Sequence, residues 1–136
     1  MKILIVSLVT FLLSSCYQTK KPPKIYESNY KDGELTQVQF YPYSITFDTL
    51  KAGQSFEGSF YIKNVGKNIL YIDSISKACS CTKLDISKGV VNISDSLNVT
   101  FSIRPTVTKE YFVTPLVFYL NTKPFYRQIL IEGYIE

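Results

Sequence analysis

Cys79-Ser80-Cys81 is the group of residues in this sequence best suited to chemistry. In an extended segment, side chains two positions apart lie on the same face. Their Cα atoms then stand about 6.5–7 Å apart, the upper limit for a disulfide, and a bend at Ser80 would bring them into range. Three chemistries fit the pair. In an oxidising compartment it could close as a disulfide, acting as a structural clip or as a redox site. It could remain as two thiols that pack as small groups. Two thiolates could also hold a soft metal such as copper(I). Met and His, the usual helpers of copper, are absent apart from the initiator Met1. Lys77 and Lys83 flank the motif and would favour thiolate. The chain has no His, so Ser–His and Cys–His nucleophilic pairs and most zinc sites are excluded. Acids such as Glu57 and Asp85 have no assigned partner. The sequence therefore points away from an enzyme, and no cofactor is expected.

The third cysteine, Cys16, belongs to a different chemistry. Met1-Lys2 forms a short positive region, and Ile3 to Leu13 is apolar apart from Ser7 and Thr10. That run falls short of the roughly 20 apolar residues a membrane-crossing helix needs. It has the architecture of a secretory leader. The leader ends in Leu13-Ser14-Ser15-Cys16, which resembles the bacterial lipobox: an aliphatic residue, two small ones, then a cysteine whose thiol is acylated. Residues 1–15 are expected to be a lipoprotein signal peptide, with Cys16 carrying lipid such as palmitate. Residues 16–37, with Lys20-Lys21-Pro22-Pro23-Lys24, read as a lipidated cysteine and flexible tether. Tyr17 follows Cys16 in place of the Asp that retains lipoproteins at the inner membrane. The expected location is the outer membrane of the cell envelope, facing the periplasm.

Three of the five Asp residues open Asp-Ser/Thr-aliphatic triplets: Asp48-Thr49-Leu50, Asp73-Ser74-Ile75 and Asp95-Ser96-Leu97. They resemble an O-glycosylation acceptor motif of exported Bacteroidetes proteins, with Thr49, Ser74 and Ser96 as acceptors. The alternative is local side-chain–backbone bonding by Asp, Ser and Thr at strand starts.

The elements that position these residues are strands. Removing 15 of 136 residues leaves 121, enough for one domain with one core. The formal charge of +4 falls to +3 as Lys2 leaves, and the basic residues are scattered, so nucleic acid is not an expected partner. Eleven Tyr and nine Phe favour pleated, half-buried surfaces. From about residue 38 the pattern has period two. Phe56, Phe60 and Ile62 alternate with Glu57, Ser59, Tyr61 and Lys63; Val99, Phe101 and Ile103 alternate with Asn98, Thr100 and Ser102. Turn signals at 51–53, 64–68, 87–89, 94–95 and 121–124 divide the chain. Strands are expected near 44–50, 54–64, 69–77, 81–86, 96–104, 111–121 and 125–135. Asn64 and Gly66 are assigned to a turn between adjacent strands, with positive φ at Gly66. Pro115 is expected at an edge or a bulge. About seven strands over 38–136 predict an all-β, antiparallel immunoglobulin-like sandwich.

Phe60-Tyr61-Ile62-Lys63-Asn64-Val65-Gly66-Lys67-Asn68-Ile69-Leu70-Tyr71-Ile72, running on to Ala78-Cys79-Ser80-Cys81-Thr82, resembles the family labelled domain of unknown function 1573. That family is common in Bacteroidetes envelope proteins. Its pattern is an aromatic strand, Asn-x-Gly-Lys, a strand with Leu-x-Ile, then Cys-Gly-Cys-Thr. Ser80 replaces the usual Gly, and Ser94-Asp95 stands where Pro-Gly is usual, which suggests a different hairpin turn. The resemblance covers roughly 45–136. It implies an immunoglobulin-like sandwich and supplies no reaction. The expected function is a non-enzymatic envelope lipoprotein, held to the membrane by its lipid and binding another envelope protein or a glycan. Tyr41-Pro42-Tyr43 and Tyr61 could form such a contact patch. The alternative is a periplasmic thiol-redox or copper-handling protein using Cys79 and Cys81.

Overall fold

The computed structural model describes residues 30–136, so the expected leader, Cys16 and most of the expected tether lie outside the described residues. A single 3-10 turn (Asp32–Glu34) precedes nine strands. They are β1 (Val38–Tyr41), β2 (Ser44–Leu50), β3 (Phe56–Asn64), β4 (Leu70–Lys77), β5 (Thr82–Ile86), β6 (Val90–Val91), β7 (Ser96–Ile103), β8 (Glu110–Leu120) and β9 (Tyr126–Ile135). Seven coincide with the expected strands, and β1 and the two-residue β6 are additions. One sheet has the order β1-β3-β7-β5 and the other β2-β9-β8-β4-β6. Neighbours are antiparallel except β2 and β9, which run parallel. The all-β sandwich stands, with two more strands and one parallel pair.

Alternation builds the core as expected. Phe60, Ile62, Val99, Ile103, Ile129, Ile131 and Ile135 point inward and are fully buried. Phe118 meets Phe40 and Phe60 edge-on, with ring centroids 5.3 and 5.7 Å away. Each such pair contributes about 0.5–1.5 kcal/mol beyond area burial.

Every connection except β8–β9 passes from one sheet to the other. The turn signals at 64–68 and 94–95 are therefore corners of the sandwich and not hairpins, which corrects the expected reading of both. Gly66 does not need positive φ; the positive-φ glycine is Gly53 (φ 77), and Ser94 also has positive φ (63). Gly66 is required for space, because a Cβ there would fall on the Thr36 hydroxyl and the Gln37 backbone nitrogen. Pro115 lies in β8, a central strand, and not at an edge. It sits one residue past the last β4–β8 pair, Lys77↔Leu116, where a missing N–H breaks no ladder bond.

The folded unit also starts earlier than residue 38. Asn68 Nδ2 donates to the carbonyls of Gly33 (2.9 Å) and Leu35 (2.8 Å). Asn121 Nδ2 donates to the Glu34 carbonyl (2.9 Å), and Thr36 N–H donates to the Asn121 carbonyl (2.9 Å). Residues 33–37, assigned from sequence to the tether, are bound to one end of the sandwich. Cys79 and Cys81 lie past the far end of β4, some seven residues or about 23 Å along the strand.

Candidate functional site

The chain leaves β4 at Lys77 and must cross to β5 in the opposite sheet within four residues. It does so in a tight turn, with Thr82 N–H donating to the Cys79 carbonyl (3.2 Å). That bend at Ser80 brings the two Cα atoms to 5.1 Å, and Cys79 and Cys81 are joined as a disulfide. Arg104 N–H donates to the Cys81 carbonyl (3.0 Å), and Lys77 Nζ donates to the Thr82 carbonyl (3.0 Å). Both cysteines are half-buried and Ser80 is exposed. In this form neither sulfur is a thiolate, so a soft metal finds no ligand pair here. Among the described residues no cluster of three or more His, Cys, Asp or Glu could hold a metal.

Beyond the turn, β5 is an edge strand, hydrogen-bonded to β7 on one side only. The Cys81–Arg104 bond sets the alternation. The backbone groups of Lys83 and Asp85 face β7, and those of Leu84 and Ile86 face outward. The other edges are blunted. β2 carries a bulge between Thr46 and Thr49, β6 is only two residues long, and β1 has four residues followed by Pro42. β5 alone among these presents a regular open edge.

A shallow groove lies on the outer face beside it, lined by Glu57, Ser59, Lys83, Asp85, Thr100 and Ser102. Glu57 and Asp85 stand two strands and two residues apart through Ser102 and Thr100, which places their Cα atoms about 12 Å apart.

The three Asp-Ser/Thr-aliphatic triplets share an irregular backbone. Asp48 and Asp73 sit in the bulges of β2 and β4, and Asp95 Oδ1 accepts the Ser96 N–H (2.8 Å) at the start of β7. Thr49, Ser74 and Ser96 are all exposed. Tyr41 and Tyr61 are register partners on the outer face of the four-stranded sheet, and both are exposed with Tyr43. The buried amide of Asn64 was assigned from sequence only to a turn. Its Oδ1 accepts from Thr36 Oγ1 (2.9 Å) and Gly66 N–H (3.1 Å), and its Nδ2 donates to the Asn68 (2.8 Å) and Val91 (3.1 Å) carbonyls.

The profile described as "Protein of unknown function (DUF1573)" matches residues 38–135. The chain belongs to the DUF1573 family. The family resemblance in the sequence holds, and the match takes in the whole sandwich with the Cys79–Cys81 corner. No curated protein matches the sequence. A protein of unknown function from Porphyromonas gingivalis W83 has a similar structure, with TM-score 0.66 and 14% identity. The match covers 78% of this chain and 50% of that one, so the DUF1573 chain spans half its length. The PapD-like domain 7 of human CEP192 is similar with TM-score 0.58 and 13% identity, over 81% of this chain and 92% of that one. The secreted serine protease VesC from Vibrio cholerae is similar with TM-score 0.52 and 13% identity, over 66% of this chain and 21% of that one. At these identities the likeness is one of fold.

Proposed function

We propose that this DUF1573 protein is a non-enzymatic lipoprotein of the cell envelope that binds an extended segment of another envelope protein along β5. The observation that carries the reading is the regular open edge of β5 with the outward backbone groups of Leu84 and Ile86. Adding a strand to such an edge is the least costly mode of recognition, because the donors and acceptors are already aligned. The absence of His, which removes Ser–His and Cys–His nucleophilic pairs, supports a binding role over hydrolysis.

Leu84→Pro tests it. This change removes an outward N–H and leaves the β7 ladder intact, so the domain should fold with a loss of about 1–2 kcal/mol. Full-length protein expressed in its native envelope should capture its partner as wild type and lose it as Leu84→Pro. Lys83→Pro, whose N–H faces β7, should instead unfold the domain. Capture retained by folded Leu84→Pro would remove β5 as the binding edge.

The anchor rests on the lipobox ending in Cys16. Metabolic labelling with a palmitate analogue should tag the wild type, whereas Cys16→Ala should lose the tag and stay unprocessed. Labelling that survives the substitution would end the lipoprotein reading.

The half-exposed disulfide supports a second reading, exchange with a dithiol partner at Cys79–Cys81. Partner capture by the Cys79→Ser/Cys81→Ser double variant, read with its Tm, separates the two.

A further inference from the structure

The outer faces of the two sheets differ in kind. The four-stranded sheet carries Glu57, Lys63, Lys83 and Asp85 among hydroxyls and amides, as a solvated face should. The five-stranded sheet does not. On β8 the residues pointing away from the core are, in order, Tyr111, Val113, Pro115, Val117 and Tyr119. Opposite them on β9 stand Tyr134, Glu132, Leu130, Gln128 and Tyr126. No lysine or arginine is among them, and Glu132 is the one charge. Thr46 and Thr49 of β2 flank the face on one side, and Ser74 and Ser76 of β4 on the other. A strand apolar on both faces has the pattern of one covered on both sides.

The order of residues indicates what covers it. Each row reads nearly the same from either end: Tyr-Val-Pro-Val-Tyr on β8, and Tyr-Glu-Leu-Gln-Tyr on β9 with Glu and Gln of equal size. We propose that this face packs against the same face of a second copy of the chain. The two-fold axis lies in the interface, runs across the strands and passes over Leu130 and Pro115. That rotation keeps β9 over β9 and reverses the rows. Tyr134 then meets the second copy's Tyr126, Val113 meets Val117, and Glu132 meets Gln128.

Tyr111 OH donates to Glu132 Oε2 (3.0 Å), a bond that raises the Tyr111 pKa above its ordinary value. The other Glu132 oxygen remains to accept from the facing Gln128 amide. An axis along the strands would instead set Glu132 and Gln128 against Val113 and Val117, leaving polar groups without partners. Aligned packing of two sheets is a standard geometry. The face spans nine residues of β8, Tyr111 to Tyr119, across four strands, a footprint of about 500 Å². A standard stable interface buries about 800 Å² per partner, so this one is weak and reversible.

The test is cross-linking of the full chain in intact cells with a short bismaleimide, which bridges sheets about 10 Å apart. Leu130→Cys lies on the axis and should cross-link with itself. Gln128→Cys and Glu132→Cys should each stay monomeric alone and should cross-link when co-expressed. In the Leu130→Cys background, Gln128→Glu sets a carboxylate against Glu132 of the second copy at each of the two symmetric contacts and should lower the yield several-fold. Gln128→Lys should raise it. Both positions are solvent-facing and twelve or more ångströms apart within one chain, so folding does not produce these opposite effects. No self-linking of Leu130→Cys would overturn the proposal, as would Gln128→Cys linking as well alone as in the mixture. A sugar mass on Thr49 or Ser74 of the cross-linked species would also overturn it, because those hydroxyls stand on the rim of the face.

Discussion

Asn64→Ala should lower the stability of this domain by about 3–5 kcal/mol, the loss expected when a buried hydrogen-bond network is broken. Asn64 is fully buried and its amide makes four hydrogen bonds. A neutral hydrogen bond contributes about 1 kcal/mol net, and a buried group left without its partner costs about 1–3 kcal/mol. Truncation orphans the Thr36 hydroxyl and the Val91 carbonyl, both away from water. The same amide ties together three parts of the chain: Thr36, the β3–β4 corner and β6. Asn64→Asp should be nearly as damaging, since a carboxylate keeps the two accepted bonds and turns the Nδ2 donor into an oxygen facing two carbonyls. Urea unfolding of the two variants beside wild type measures the effect. A loss below about 1 kcal/mol for both would show that the segment before β1 and the corner hold without Asn64.

Gly133→Ala should be comparably severe. Gly133 points inward on β9 beneath the β2 bulge, and an added Cβ would fall on the ring and the carbonyl oxygen of Phe47. Phe47 packs on Phe56 and Phe112, with ring centroids 5.2 and 6.4 Å away, so its ring has little room to turn. The carbonyl cannot yield unless β2 moves off β9. Overpacking a core costs about 1–3 kcal/mol when side chains can adjust, and the backbone contact sets this case at the top of that range or above. A fall in Tm of about 10 °C or more is expected, given about 4–8 °C per kcal/mol for a domain this size. Phe47→Leu in the Gly133→Ala background should not restore it, because the carbonyl remains. A fall under about 4 °C would mean β2 and β9 adjust freely.

The strands were legible because alternation is local: Phe60 and Ile62 against Tyr61 and Lys63 needs no knowledge of the rest of the chain. The sheet to which each strand belongs was not. Asn64-Val65-Gly66 has the composition of a hairpin turn, yet β3 and β4 lie in opposite sheets, a fact set by the pairing of β3 with β7 and of β4 with β8. What requires a glycine at 66 is not local, since the crowding atoms come from Thr36 and Gln37, some 30 residues earlier. The segment 33–37 looked like tether because it is polar. What holds it are Asn68 and Asn121, whose bonds span up to 87 residues of sequence. Two-residue β6 is too short for any periodicity to register.

At the candidate site the sequence carried more. A bend at Ser80 was the condition for closing the Cys79–Cys81 pair, and the 79–82 turn supplies it. The role of the neighbouring edge was hidden, because whether β5 has one partner or two depends on the whole sheet order.

The decisive measurement is partner capture by the Cys79→Ser/Cys81→Ser double variant, read together with its Tm. One residue separates the cysteines, so their disulfide closes a very small loop and removes little entropy from the unfolded chain. If the domain binds through β5 and the disulfide is a clip at its corner, capture persists and Tm falls by a few degrees. If capture is lost while Tm stays where it was, the sulfur chemistry is the function and the binding-module account is wrong.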